Sequence, residues 1–502
     1  VLWHWVRCGT LRVHWTCNAV APKHQVSLVM DRAHHYIVID QGTSSTKAFL
    51  FDSNGKVLYS KKIKHDLSRP KQFHVECDAN VILNACSELF QDMVHASGDV
   101  AIHNVGLAVQ RSTFLFWEKE SCLPVTPAIS WQDSRAHAIV DEFSEHSQKL
   151  WRITGTPLSA HFGGPKYLHM VRKNNELKSR VEKGDLYFGP LSGFLSQAMT
   201  GTPGVDETIA CRSLFFDIRS GDWSYFALDL FGISRICLPP LAPVKYNLGN
   251  IFATDIPLSV VIGDQQAALI GQTGLIPGTI ASNFGTSASV QYNAGKKPVV
   301  LDGLISSVLY SDENEKYFMV EGTINACNSL FYNLENVLDI THEKMKWDQR
   351  ASKTETNGIF IPGFSGLAAP YWTPGFDDFY IGLNKDSDKN EIVRAGMESI
   401  GFLVNDILGC LSPIIKSKPY ILTAAGGGAR NPLLQFIADL TGLPVGHSAM
   451  KDRTAYGVYK LLNPNYQSDA SKSVDQIFSP EQSDKIKEKK EQWRDAINRN
   501  FK

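Results

Sequence analysis

Over residues 36–64, apolar residues come in short runs broken by turn formers: YIVID, GTSSTK, AFLFD, then Asn54-Gly55 and VLYSKKI. Short apolar runs bounded by Gly, Ser and Asn read as strands, and Asn-Gly between two of them is a hairpin signal. The pattern predicts a hairpin followed by a further strand. Across ANVILNACSELFQDMVHAS the period changes, and Val81, Ile82, Cys86, Leu89, Phe90 and Val94 recur at the spacing of a helix with one buried face. NVGLAVQ then reads as a buried strand ending at Arg111.

The same order returns after Gly278. TIASNF and ASVQYN flank Gly285-Thr286-Ser287 as the earlier runs flank Gly42-Thr43-Ser44, SSVLY and KYFMVEG extend the sheet, and helices are expected over 325–334 and 391–411. Repetition of this kind implies a duplicated α/β protein whose two domains face one cleft, 36–272 and 273–502, with the boundary after QQAALIGQ near 271–274. A chain of 502 residues is too long for one ordinary core, which agrees. The highly charged PEQSDKIKEKKEQWRDAINRN near the C-terminus reads as a solvated surface helix. Residues 1–35 are set apart as an N-terminal extension outside the fold. They lack an acidic residue before Asp31, any apolar run long enough to cross a bilayer and any clear helical period, so upstream appended sequence is preferred to a presequence.

Charge narrows the partner. The 50 Lys and Arg nearly cancel the 51 Asp and Glu, which argues against nucleic acid and membrane surfaces and for a small molecule. The nine cysteines show no C-x-x-C spacing, as expected of reduced thiols in a cytoplasmic protein.

Three stretches carry candidate chemistry. In DQGTSSTK, Asp40 ends a strand before a turn whose N–H groups form an anion nest; Lys47 can neutralise phosphate and Asp40 can hold hydrated magnesium, although an ordinary hairpin has the same pattern. Gly285-Thr286-Ser287 supplies a second such turn, so that two hairpins grip a nucleotide triphosphate from both sides. In AAGGGARNPLL, Gly426 to Gly428 let the backbone approach a flat ligand or pack a helix closely; the spacing fits neither a dinucleotide fingerprint nor a Walker loop. In VVIGDQQAALIGQ, Asp264 is either an N-cap or a general base at a cleft mouth.

Taken together and in order, DQGTSSTKAFLFD, QRSTFLFWEKE with ISWQDSRA, FGGPKYL, GDQQAALIGQ, NFGTSAS, FIPGFSGLAAPYW and GGGARNPLLQFIADLTG resemble the FGGY carbohydrate kinases, most of all their glycerol kinases, across 36–462. The resemblance implies the actin-like, Hsp70-like ATPase architecture, a ribonuclease H-like fold duplicated around a cleft where ATP and a polyol or sugar meet. It implies Asp264 as catalytic base; Arg111, Trp131 and Gln265 at the polyol; Gly42, Thr43, Ser44 and Lys47 on one phosphate hairpin and Gly285 and Thr286 on the other; Gly427, Gly428 and Asn431 at adenosine; and Asp40 at magnesium.

Departures bear on the substrate. Glycerol kinases have Glu where Ser112 stands, a tyrosine at His161 and an aromatic residue at Ser289, so three polyol contacts have changed together. His169 replaces a tryptophan of the first family signature, Asn328 a small residue near the nucleotide, and the second signature is imperfect at Asp378 and Gly396. The segment between Tyr246 and Gly263 is short for a sugar-bisphosphate control loop.

The expected reaction is phosphoryl transfer from MgATP to a hydroxyl of a small polyol or ketose, with a homodimer left open as the assembly. The alternatives are an ATP-driven conformational switch on the same fold, which would not need Asp264, Arg111 and Trp131, and a catalytically inactive ligand-binding relative.

Overall fold

The computed structural model describes residues 34–415, 421–466, 474–481 and 483–501. All but the last two residues of the N-terminal extension lie outside these.

The first repeat forms as its pattern predicts. His35–Gln41 and Ser45–Phe51 pair antiparallel, Val57–Lys64 pairs antiparallel outside them, and Ile102–Val109 and Leu258–Gly263 are added in turn on the other side, parallel to His35–Gln41. The helix Ala79–Ser97 begins at Asp78, whose carboxylate accepts from the N–H groups of Asn80 and Val81. Ile82, Cys86, Leu89 and Phe90 are buried, but Val81 and Val94 are exposed, and Ala85 and Met93 take their places. The buried stripe is centred on 82, 86, 89 and 93, one regular helical face, and Val81 and Val94 fall on its flanks.

The second repeat has the same strand order. Lys316–Ile324, Ala288–Gly295 and Ile280–Phe284 are antiparallel neighbours, and Leu422–Ala425 and Val445–His447 follow parallel to Ile280–Phe284. Ile305–Ser311 and Gln476–Phe478 extend this sheet at its two edges. The expected helices appear as Asn328–Val337 and Lys389–Leu411.

Parallel strands aligned this way bring their carboxyl ends to one edge. Gln41, Val109 and Gly263 are in register, so the chain leaving each strand, with Gly42, Arg111 and Asp264, emerges at one place. This is where open α/β sheets bind ligands. A smaller sheet of Glu76–Cys77, Ala128–Ile129, Phe114–Glu118 and Leu186–Pro190 carries the loops beside that edge.

The helix Arg453–Leu462 lies in the second half of the sequence but packs on the first sheet and on the helix Asp264–Thr273. Side chains added at Gly457 and Gly271 would place Cβ 1.8 Å from the Ala267 oxygen and 2.0 Å from the Arg453 oxygen. The two helices therefore cross in backbone contact. We propose the division at 272/273 as the domain organisation, with this helix returning across it.

The C-terminal helix Asp484–Phe501 corrects the reading of a merely solvated element. Trp493, Ala496 and Ile497 are buried, Trp493 stacks on Phe402 at 4.9 Å and donates to Asp406 at 2.7 Å, and Lys489 pairs with buried Glu398. Its composition is dominated by the charged face, which hid a narrow apolar stripe.

Candidate active site

Asp264 is the first residue of its helix, and Gly263 occupies the N-cap position. Asp264 is therefore not the N-cap residue itself. Its carboxylate accepts from the Gln265 N–H at 2.7 Å and lies 3.7 Å from Arg111 Nε. Surrounding protein pushes the Asp264 carboxyl above the usual carboxylate range, against the pull of Arg111. Gly263 makes room for that arginine, since an added Cβ would meet its stem at 3.1 Å.

Arg111 is held from the opposite half of the molecule. Its Nη1 donates to Glu321 at 3.0 Å, and the other oxygen of Glu321 accepts from Arg212. Glu321 and Arg212 are 1 % and 2 % exposed, so this is a buried ion triad rather than a surface pair. Gln291, opposite Glu321 in the sheet, donates to the Gln265 carbonyl at 3.4 Å. Ser289 stands two residues before Gln291, hence on the same face of its strand.

Asp40 belongs to the same cluster. Burial first, then the negative charge of Asp264, pushes its carboxyl up to about 7, with Lys47 opposing. Nearby, Gln41 Oε1 and both polar atoms of Gln110 are buried without a hydrogen-bond partner among the described residues. Lys47 itself pairs with Asp452 at 3.0 Å; both are partly exposed, so the pair is readily exchanged for a phosphate.

The two hairpins both close through a glycine amide, but the first loop, 42–45, is one residue longer than the second, 285–287. Gly42 N–H donates to the Ser45 oxygen at 3.0 Å and Gly285 N–H to the Ser287 oxygen at 2.9 Å. These glycine amides are thus consumed by the turns, and among the described residues the turn amides of Thr43, Ser44, Thr286 and Ser287 have no acceptor. The Thr43 hydroxyl accepts from Trp131 Nε1 at 2.9 Å, which ties the first hairpin to the loop that carries Trp131.

Trp131 is 41 % exposed, an open wall rather than a core aromatic. His161 Nδ1 lies 2.9 Å from the Trp131 carbonyl. Burial, then nearby Lys166, holds the imidazole below its ordinary pKa, so the neutral ring carries its proton on Nδ1 and offers Nε2 as an acceptor. His161 is both open to solvent and surrounded by protein, as befits a cleft wall. Ser112 is buried with a left-handed backbone, φ 60°, and its carbonyl accepts from Lys166 at 2.7 Å. Lys166 also donates to the carbonyls of Ser130 at 2.7 Å and Ile129 at 3.5 Å. One fully buried lysine therefore fixes the loops that present Arg111 and Trp131.

On the other side, the Phe284 oxygen accepts from Gly428 N–H at 2.8 Å, and Gly426 has φ 104°. A side chain at Gly428 would meet Asn328 Oδ1 and Cys327 Sγ at 3.1 Å. Asn328 thus borders the glycine shelf. Gly427 and Asn431 are exposed, Asn431 opening its helix.

Sequence reasoning missed Glu321, Arg212, Lys166 and the segment 452–454. Asp452 pairs with Lys47, Arg453 donates to Asn283 at 2.8 Å and Thr454 to the Asp264 carbonyl at 3.5 Å, so these residues touch both hairpin sheets and the Asp264 helix. A charged residue in a buried-strand pattern, Glu321 within KYFMVEG, was the available signal.

Two family models match, the N-terminal domain of the FGGY family of carbohydrate kinases over residues 35–271 and its C-terminal domain over 280–463. The chain is 31 % identical over 444 residues to a glycerol kinase of Leifsonia xyli subsp. xyli, covering 85 % of this chain and 88 % of that protein. It is 30 % identical over 491 residues to glycerol kinase 2 of Thermotoga maritima, covering 93 % and 99 %. A crystal structure of Plasmodium falciparum glycerol kinase with ADP superposes with a TM-score of 0.86 at 27 % identity, covering 94 % of this chain and 99 % of that one. Gluconate kinase from Lactobacillus acidophilus shares the fold, with a TM-score of 0.83 at 21 % identity over 93 % and 99 %. The chain belongs to the FGGY family of carbohydrate kinases and is an ATP-dependent phosphotransferase that acts on an alcohol group of a polyol or sugar.

Proposed function

We propose that Asp264 is the general base of this transfer. The observation that carries the reading is its place: a carboxylate at the end of a parallel strand, gripped by Arg111, close to Asp40 and raised in pKa toward the range in which a base works best. The substrate hydroxyl sits between Asp264 and the γ-phosphate and gives up its proton as the new O–P bond forms. Because such a transition state is loose, catalysis rests on positioning and charge neutralisation. Arg111, Gln265 and His161 Nε2 meet the substrate hydroxyls and Trp131 covers its carbon face, while Ser112 and Ser289 leave room where larger side chains stand in glycerol kinases. The amides of Thr43, Ser44 and Thr286, with Lys47, receive the phosphates, and Gly427, Gly428 and Asn431 the adenosine.

Magnesium fits at Asp40. Its carboxyl is disfavoured as an anion by burial and by Asp264, and a cation relieves both. Among the described residues no group of three or more His, Cys, Asp or Glu side chains is placed to hold a metal; Asp40 would be the carboxylate that holds the ion. When bound, magnesium neutralises the phosphate charge. We place the enzyme in the cytoplasm, where ATP is at hand; the described cysteines form no disulfide, and no described helix is long and apolar enough to cross a membrane.

The test is ADP release from MgATP against glycerol, erythritol, xylulose and ribulose. Asp264→Asn should keep ATP affinity and lose substrate-stimulated turnover by roughly a hundredfold to ten-thousandfold. Near-normal turnover by that variant removes Asp264 as base.

A further inference from the structure

Away from the cleft, a cavity of about 490 Å³ opens between the small sheet and the helix Gly163–Lys173. Its wall is basic: Lys71, Arg135 and Lys173 carry charge there, and His74 and His169 face each other with ring centroids 6.5 Å apart. Glu76 is the acidic side chain of the lining and is already committed, accepting from Arg135 Nη2 at 2.7 Å. The Arg135 Nε is taken by buried Asp133. Nothing among the described residues accepts from Arg135 Nη1, and neither Lys71 nor Lys173 has an ion-pair partner there. Lys71, Lys173 and Arg135 set against Glu76 and the Asp133 behind it leave the cluster net positive by one charge, before either histidine is protonated.

We propose that this cavity is a binding site for a small organic phosphate, separate from the site of phosphoryl transfer. Its volume suits a ligand the size of a sugar monophosphate. Lys71 and Lys173 at the exposed rim and Arg135 at the half-buried floor supply the charge-assisted donors that a phosphate dianion requires. Ile129 lines the cavity, and Trp131, two residues further on, reaches Thr43 of the first hairpin. The cavity thus backs onto the chain that forms the substrate wall.

Affinity depends on pH. His74 is faced by Arg135, Asp133, Glu76, Lys71 and His169; His169 by Arg135, His74, Lys173 and Asp133. Burial, and next Arg135, lowers both imidazoles below their ordinary value, so the empty cavity holds them neutral near pH 7. An anion bound beside them favours the imidazolium forms, and binding takes up protons.

Titration calorimetry of the full chain with glucose 6-phosphate and with sulfate, which stays a dianion throughout, tests this. Saturable binding of both is expected, with sulfate held at least threefold more tightly near pH 6 than near pH 8. Lys71→Ala with Lys173→Ala should weaken both ligands about tenfold or more, with MgATP affinity and thermal midpoint unchanged. Because both lysines are exposed, that variant folds. His169→Phe should reduce the preference for low pH, and His74→Phe with His169→Phe should abolish it. No saturable binding to the wild type overturns the proposal, as does binding that the double lysine variant retains, which would place the anion elsewhere.

Discussion

Lys166 shows how a single residue sets the loops that carry Ser112 and Trp131. It is completely buried, and its Nζ serves the carbonyls of Ser112, Ser130 and Ile129. Burial lowers the ammonium to about 7 from its ordinary 10.5. The unfolded chain keeps that proton up to its ordinary pKa and the folded chain releases it at about 7, so Lys166 makes stability rise with pH between the two values and leaves it flat below. Lys166→Met should therefore flatten the pH dependence of the urea midpoint between about pH 7 and 9.5. Parallel curves would mean that the carbonyls keep the lysine charged. His161 and Ser112 lend themselves to a second measurement. Restoring larger polar groups by Ser112→Glu with His161→Tyr should raise kcat/KM for glycerol relative to xylulose by about tenfold or more, the scale expected when a hydrogen-bonding carboxylate is regained. An unchanged ratio in a folded variant would put the substrate elsewhere. The residues of DQGTSSTK and GDQQAA were legible because turn chemistry and strand ends announce themselves locally. Lys166 was not, because a lysine in a helix normally points to water and its carbonyl partners lie 36 to 54 positions away.

At the level of elements, strands and their order were largely readable: apolar runs separated by Gly, Asn and Ser became the two three-stranded antiparallel units, and the parallel additions followed. What escaped was the partner of each helix. Nothing in TAYGVYKLL says that it packs against the first sheet instead of its own, because amphipathic spacing gives the buried face but not what covers it. The contact depends on Gly457 and Gly271, whose missing side chains let the helices Arg453–Leu462 and Asp264–Thr273 touch through their backbones. Gly457→Ala would force its Cβ into the Ala267 carbonyl and shift the helix that starts at Asp264. We expect a loss of about 1–3 kcal/mol in chemical denaturation, together with a lower kcat, since Asp264 moves with its helix. A variant as stable and active as the wild type would show that the crossing relaxes freely. The C-terminal helix teaches a related lesson: eighteen residues rich in Lys, Glu and Asp nonetheless bury Trp493 and Ile497, because a stripe of few apolar side chains suffices to dock a helix whose other faces are charged.

For the molecule as a whole, the decisive feature is that the site is assembled from two halves by buried charge. Arg111 and Arg212 come from the first half and Glu321 from the second, and the glutamate pairs with both. Such a triad is no efficient source of stability, since desolvation of three charges offsets most of their attraction, but removing its shared member leaves two buried cations facing each other. Glu321→Gln should cost about 3–5 kcal/mol of stability and draw Arg111 toward Asp264. The negative charge of Glu321 contributes to the raised pKa of Asp264, so its loss lowers that pKa. The acid limb of the kcat/KM profile, where the base becomes protonated, should then move to lower pH, and kcat should fall because a base paired more tightly with arginine is weaker. A role confined to holding the halves together predicts lower stability with an unshifted acid limb. The pH profile of Glu321→Gln, measured well below its melting temperature, therefore separates tuning of the base from support of the fold, and an unmoved limb would reduce the triad to a brace.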